Sequence, residues 1–273
     1  MGQLDGSQLH WVLVHGSMHG AWSYYKTMAL LQAEGYKVTA VDLAGCGASA
    51  VDSNTVSDFE VFNQPLVDVL NAVPATERVV LVGHSLGSIS LLHAMENFTH
   101  KISLAIHVAG ALLPSGVSFE ITGDYYKGCF PEIGPFQIFA RQIFGNGPEN
   151  PPTTITIDKA NLQKVFYTSP KTPSADLALA QIMCRPASFE VQFSTVVHYT
   201  KEKQGTIPSV YIKTSIDQTL PPASQDYIIK ACPQTEVVEI QADHTPMFCA
   251  TDELHEILLR LAAKYTNALT KAI

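Results

Sequence analysis

Four runs of aliphatic and β-branched residues divide the first 114 residues: "HWVLVHG" (His10–Gly16), "YKVTAVDLAG" (Tyr36–Gly45), "RVVLVG" (Arg78–Gly83) and "ISLAIHVAGALLP" (Ile102–Pro114). Runs this continuously apolar predict strands covered on both faces rather than half-exposed ones. Between them lie stretches with helical spacing: "AWSYYKTMALLQAEG", closed by Gly35, then "FEVFNQPLVDVLNAV" and "SISLLHAMENF". Strand and helix in strict alternation imply a mostly parallel central sheet with helices on both faces, an α/β fold. The rhythm breaks between Ser115 and about Glu202, where "FGNGPENPPTT" reads as a loop and "SADLALAQIMC" as a helix capped by Ser174. It returns with "SVYIKTSID" (Ser209–Asp217), "EVVEIQAD" (Glu236–Asp243) and a final amphipathic helix, "DELHEILLRLAAKY". The expected organisation is therefore one α/β core made of residues 1–114 and 203–273, interrupted by a mainly helical cap over residues 115–202.

The third strand ends in Gly83-His84-Ser85-Leu86-Gly87, a G-x-S-x-G sequence between a predicted strand and a predicted helix. A serine on so sharp a turn sits in a strained backbone conformation, and the flanking glycines avoid collisions with the neighbouring elements. The helix that starts there offers free N–H groups and positive dipole. The alternative is a Ser/Gly turn that merely begins a helix. A nucleophilic serine needs a base, and the base needs an orienting acid. Asp217 ends the "SVYIKTSID" strand and His244 follows the "EVVEIQAD" strand, so both fall where an open sheet gathers its functional loops. Asp243 adjoins His244 and is expected to be structural, since neighbouring side chains past a strand point apart. The loop after the first strand, "HGSMHGAW", could supply an oxyanion-binding amide at Ser17, with the amide of Leu86 as the second. Gly16 gives that loop its freedom.

Composition narrows the classes. The chain is 46% hydrophobic and 15% charged, with a formal net charge of −8 and no Lys/Arg run. That argues against nucleic acid and anionic membrane surfaces as partners. No apolar stretch is long enough to span a bilayer. The N-terminus lacks the pattern of a secretory signal, and Gly2 lacks the Ser/Thr at position 6 that a myristoylation site needs. Five scattered cysteines without CxxC spacing are expected to be buried thiols of a reducing compartment. His15 and His19 have spacing that a metal could use, but no carboxylate or cysteine accompanies them, so no metal is expected. "DLAGCGAS" lacks G-x-G-x-x-G spacing, and no nucleotide cofactor is expected.

The stretches "HWVLVHGSMHGAWSYYK", "GYKVTAVDLA", "VVLVGHSLGS", "SADLALAQIMCRPAS" and "ADHTPMFC" resemble the plant methylesterase and hydroxynitrile lyase family of α/β-hydrolases, nearly end to end. The resemblance implies a Ser85–Asp217–His244 triad, an oxyanion hole from the Ser17 and Leu86 amides, and a helical cap over the pocket. It also implies cytoplasmic homodimers acting, without a cofactor, on small methyl esters of hormone-like acids. The family's lyases carry a threonine where Gly16 stands and a lysine where Thr245 stands. Neither is present, so the expectation is a serine carboxylesterase. A slow-turnover hormone receptor on the same fold is the alternative. Gly16, Met183 and the aromatics Tyr125, Phe130, Phe136 and Phe139 are the candidate substrate-binding residues, with cap-to-sheet packing as the other account of the aromatics. The chain departs from the family at Ser17 and Ser88, where alanine or glycine and a second glycine are usual.

Overall fold

The computed structural model describes residues 9–270. The readings made above on the extreme N-terminus, including Gly2, lie outside the described residues. In chain order come β1 (Leu9–Val14), α1 (Tyr25–Ala33), β2 (Lys37–Val41), α2 (Phe59–Ala72), β3 (Arg78–His84), α3 (Gly87–Asn97) and β4 (Ile102–Val108). The inserted segment contributes α4 (Asp124–Cys129), α5 (Pro135–Phe139), β5 (Ala140–Ile143), β6 (Thr154–Ile157), α6 (Leu162–Val165), α7 (Ser174–Met183), β7 (Ala187–Ser188) and α8 (Phe189–Ser194). The chain then returns through β8 (Ser209–Thr214), α9 (Pro222–Ala231), β9 (Glu236–Ile240), α10 (Pro246–Cys249) and α11 (Thr251–Thr270).

Six strands form one parallel sheet in the order β2-β1-β3-β4-β8-β9. Successive side chains of a strand point to opposite faces, and the two cores follow that alternation. Trp11 and Leu13 of β1 join Val80 and Val82 of β3, Leu31 of α1 and Leu254, Leu258 and Leu261 of α11 on one face. Val12 and Val14 join Val79 and Leu81 with Leu66 and Leu70 of α2 and Leu91 and Met95 of α3 on the other. Val79 to Val82 are all inaccessible to solvent, which is why β3 carries no polar residue in its middle. The strand order reverses between β1 and β3, and an open α/β sheet holds its ligands at the carboxyl ends of the strands beside such a reversal.

The inserted segment holds, besides its helices, a three-stranded antiparallel sheet, β5-β6-β7, absent from the sequence reading. Ser174 is the first residue of α7 and not its cap. Pro173 takes the cap position, and its carbonyl accepts from the N–H groups of Asp176 and Leu177. The segment is tied to the core through α7 and the turn after it. Asp176, buried, accepts from the Tyr25 hydroxyl at 2.6 Å and pairs with Lys26. The Arg185 guanidinium donates to the Gly47 and Ser49 carbonyls at 3.0 and 2.8 Å. All five cysteines are free thiols and buried. Among the described residues no helix is long and apolar enough to cross a membrane.

Candidate active site

Ser85 stands at the end of β3 with φ of +50°, a left-handed conformation that costs a non-glycine residue energy and persists only where its surroundings impose it. Here they do. Its N–H donates to the Val108 carbonyl of β4, and its carbonyl accepts from the N–H groups of Ser88 and Ala111, each at 3.0 Å. The glycines at either side are steric necessities. A Cβ on Gly87 would lie 2.4 Å from the His15 carbonyl oxygen and 2.7 Å from that of Val14, and one on Gly83 would meet Leu91 at 2.8 Å. Gly16 backs the serine from the loop after β1, where a Cβ would sit 3.0 Å from the Ser85 Cβ.

Asp217 and His244, both buried, come from the loops after β8 and β9. Asp217 Oδ2 accepts from His244 Nδ1 at 2.7 Å, which leaves His244 Nε2 without a proton and able to act as a base. Asp217 is itself fixed by three donors: the Thr214 hydroxyl at 2.9 Å and the N–H groups of Thr219 and Leu220, each at 2.8 Å. His84 steadies the other side. Its Nε2 donates to the His244 carbonyl oxygen at 2.6 Å, with the two rings 4.8 Å apart. Burial pushes the His84 imidazole well below its ordinary pKa, so the residue is a neutral, one-proton donor. Phe166 stacks on the His244 ring at 5.9 Å.

Asp243 is occupied elsewhere. It accepts from Ser169 N at 2.8 Å, Thr245 N at 3.0 Å, and the Thr245 hydroxyl and Cys249 thiol at 3.1 Å. It pins the turn that carries His244. The two histidines of the first loop are likewise engaged. His15 bonds the Gly16 carbonyl at 2.8 Å and accepts from Leu43 N at 3.2 Å. His19 bonds the Ser17 carbonyl at 2.8 Å and the Tyr167 hydroxyl at 2.6 Å, and burial lowers its pKa to about 4. With both ring nitrogens of each taken by the protein, neither is arranged to hold a metal.

Ser85, His244, Ser17 and Leu86 line one cleft whose empty space, its open mouth included, is about 570 Å³. Among the described residues no acceptor takes the N–H of Ser17 or of Leu86. The rest of the wall is largely aromatic: Phe119, Tyr126, Phe130, Phe136, Phe166 and Phe193. Of the pocket residues expected from sequence, Phe130 and Phe136 are in the wall and Gly16 lies behind Ser85. Tyr125, Phe139 and Met183 are not in it. The Tyr125 ring packs on Phe119 and Tyr227 and its hydroxyl donates to the Leu112 carbonyl at 2.8 Å, so it packs the inserted segment against the core. Phe139 lies under Lys164, 5.2 Å from the ring centroid. Met183 ends α7, the helix bound to the core on α1's side. Tyr126, Phe119, Phe166, Phe193 and Gln192 are wall residues that sequence reasoning missed. A helical turn presents only one of Tyr125 and Tyr126 to the cleft, and no local signal says which.

The Alpha/beta hydrolase family profile matches residues 11–257. The chain is 38% identical over 254 residues to a chloroplastic methylesterase of Arabidopsis thaliana, number 11 of its series, covering 93% of this chain and 64% of that protein's length. It is 34% identical over 256 residues to methylesterase 17 of the same plant, covering 93% of this chain and 91% of the relative. Among solved structures it is similar to polyneuridine aldehyde esterase, with a TM-score of 0.84, 30% identity, and 94% and 100% of the two chains covered. The fold, the serine elbow and these likenesses agree: the chain belongs to the α/β-hydrolase family and, within it, to the plant methylesterases.

Proposed function

We propose that the protein is a serine carboxylesterase that hydrolyses small methyl esters of hormone-like or specialised-metabolite acids, with Ser85, His244 and Asp217 as its triad. The observation that carries the reading is the pairing of His244 Nδ1 with buried Asp217 at 2.7 Å in the same cleft as the strained Ser85. His244 Nε2 takes the hydroxyl proton as Ser85 Oγ attacks the ester carbonyl carbon. The tetrahedral oxyanion is held by the Ser17 and Leu86 amides, which carry dipoles already aimed and need no reorganisation. Collapse expels the alcohol oxygen, which receives the proton back from His244 and leaves as methanol. Water then attacks the acyl-enzyme by the same route and releases the acid. No cofactor enters.

The aromatic wall favours a flat or apolar acyl group. Residues 115–202 act as the cap that shapes this wall, since Phe119, Tyr126, Phe130, Phe136, Phe166 and Phe193 all come from them. Thr245 offers no ammonium beside the base: its hydroxyl is spent on the Phe166 carbonyl and on Asp243, which weighs against cyanide-releasing chemistry. A homodimer and a cytoplasmic setting belong to the same proposal and rest on the family likeness. Light scattering of the purified protein tests the first, and imaging of a tagged chain tests the second.

The reading is tested by following hydrolysis of p-nitrophenyl acetate, methyl salicylate, methyl jasmonate and methyl indole-3-acetate by wild type and Ser85→Ala. Many turnovers on at least one methyl ester, reduced by about 10⁶-fold in the variant, is the expected result. Activity that survives Ser85→Ala would remove the triad from the account, and a single burst without turnover would favour a hormone receptor.

A further inference from the structure

The loop after β1 is under strain. Met18, buried, has φ of +64°, a left-handed conformation that a residue with a side chain holds only where its surroundings impose it. His19 supplies much of that constraint. Its main-chain N–H donates to the Gly16 carbonyl at 3.3 Å, and its Nδ1 to the Ser17 carbonyl at 2.8 Å. The Gly16 carbonyl belongs to the same planar trans peptide as the Ser17 N–H, so holding one aims the other. His15 Nδ1 shares that carbonyl at 2.8 Å. The His19 ring differs in being keyed from the inserted segment. A carbonyl can only accept, so Nδ1 carries the ring proton, and Nε2 of the neutral imidazole is an acceptor. The Tyr167 hydroxyl, 2.6 Å away, is therefore the donor to Nε2. Tyr167 is inaccessible to solvent, and its ring packs on Phe248 at 5.7 Å.

The same short stretch holds the turn that carries His244. The Phe166 carbonyl accepts from the Thr245 hydroxyl at 3.0 Å, and the Ser169 N–H donates to Asp243 at 2.8 Å. Asp243 and Thr245 are the two neighbours of His244. The Phe166 ring stacks on the His244 ring at 5.9 Å and meets the His19 ring edge-on at 5.3 Å. Residues 166–169, between α6 and α7, thus grip the His244 turn and, through the Tyr167 hydroxyl, the loop after β1. In a tetrahedral intermediate the base serves one oxygen and the amides another, so the span between them has to be fixed. A misplacement of about 1 Å can cost on the order of 100-fold in rate. Resting on the esterase reading, we propose that residues 166–169 brace the two halves of the site against each other. Tyr167 and His19 are then positioning residues that hold the Ser17 amide at the place, relative to His244, where the oxyanion forms.

The test follows p-nitrophenyl acetate hydrolysis across pH, with inhibition by 1,1,1-trifluoro-4-phenylbutan-2-one and by 4-phenylbutan-2-one. Ser85 Oγ adds to the carbonyl carbon of the trifluoro ketone, its proton passing to His244 Nε2 and the carbonyl π pair to the oxygen. That adduct reads the oxyanion site, and the plain ketone reads the cleft alone. Tyr167→Phe is expected to lower kcat/KM about tenfold and to weaken the trifluoro ketone by a similar factor. Its Ki for the plain ketone and the midpoint of its pH profile are expected to stay as in wild type, since the base is untouched. His19→Asn, which keeps a donor near the Nδ1 position, is expected to resemble Tyr167→Phe, whereas His19→Leu is expected to lose about 100-fold. Tyr25→Phe removes another hydrogen bond between the inserted segment and the core, at 2.6 Å to Asp176, and is expected to stay within about twofold of wild type. Where one variant fails to fold, the other decides by the same criteria. Rates and both inhibition constants within about twofold of wild type, or equal weakening of the two ketones, would overturn the brace while leaving the esterase intact. A wild type that neither hydrolyses p-nitrophenyl acetate nor prefers the trifluoro ketone would overturn the esterase reading, and this inference with it.

Discussion

Ser85, Asp217 and His244 are far apart in sequence and converge because each follows a strand of the same parallel sheet at its carboxyl end. In the proposed triad the aspartate's part is to choose the histidine tautomer, which makes Asp217→Asn a sharp test. The substituted amide would keep its oxygen toward the Thr219 and Leu220 N–H groups, which in the native chain donate to Asp217 Oδ1. Its NH₂ would then face His244 Nδ1, forcing that nitrogen to accept and moving the ring proton to Nε2. A base protonated on the wrong side cannot take the serine proton, so kcat is expected to fall about 10⁴-fold with KM little changed. Steady-state kinetics on the best methyl ester check this, and a loss under tenfold would contradict it. At this scale the positions of Ser85, Asp217 and His244 past the ends of β3, β8 and β9 were legible because strand ends are visible as apolar runs. Side chains in the pocket wall were not. Tyr125 and Tyr126 have the same local signature, and only the packing of Tyr125 against Leu112 and Tyr227 decides that its neighbour faces the cleft.

At the scale of elements, the site depends on how closely α3 approaches the end of β1. Gly87 opens that helix against the carbonyls of Val14 and His15, and a Cβ there would meet backbone atoms that no rotamer change can move aside. Gly87→Ala is therefore expected to cost about 1–3 kcal/mol. It should also spread the Ser17 and Leu86 amides apart and lower kcat more than it raises KM. Thermal unfolding and kinetics on one sample measure both, and an unchanged melting temperature with full activity would refute the argument. The core elements were legible from apolar runs and helical spacing. Those of the cap were less so. "TITI" in β6 has the alternation and branching of a strand, but its partners are "ARQI" and the two-residue "AS", too short to announce themselves. Ser174 has the chemistry of a cap, yet the last extended residue is Pro173, with ψ of 141°, and the cap position falls there instead.

Over the whole molecule, five histidines are buried and held below their ordinary pKa, chiefly by desolvation: His10, His15, His19 at about 4, His84, and His107 at about 3. Above pH 7 they are neutral in both folded and unfolded chains and contribute no pH dependence. As pH falls below about 6.5 the unfolded chain takes up protons that the folded chain refuses, so stability declines toward acid by up to about 1.4 kcal/mol per pH unit for each histidine. Urea midpoints at pH 7.5, 6 and 5 are expected to fall steadily, and a midpoint that rises on acidification would contradict this burial. The overall architecture was open to a reading of pattern because a parallel sheet is written in local apolar runs. Contacts between the inserted segment and the loop after β1, such as Ser17 with Gln192, join residues that nothing in the local sequence relates. The central claim is that Ser85 is the nucleophile, and the most direct measurement is mass spectrometry of the chain after reaction with a fluorophosphonate. The account predicts one equivalent of adduct on the peptide bearing Ser85, absent after Ser85→Ala and strongly slowed by His244→Ala; an adduct on another residue, or none on wild type, would contradict it.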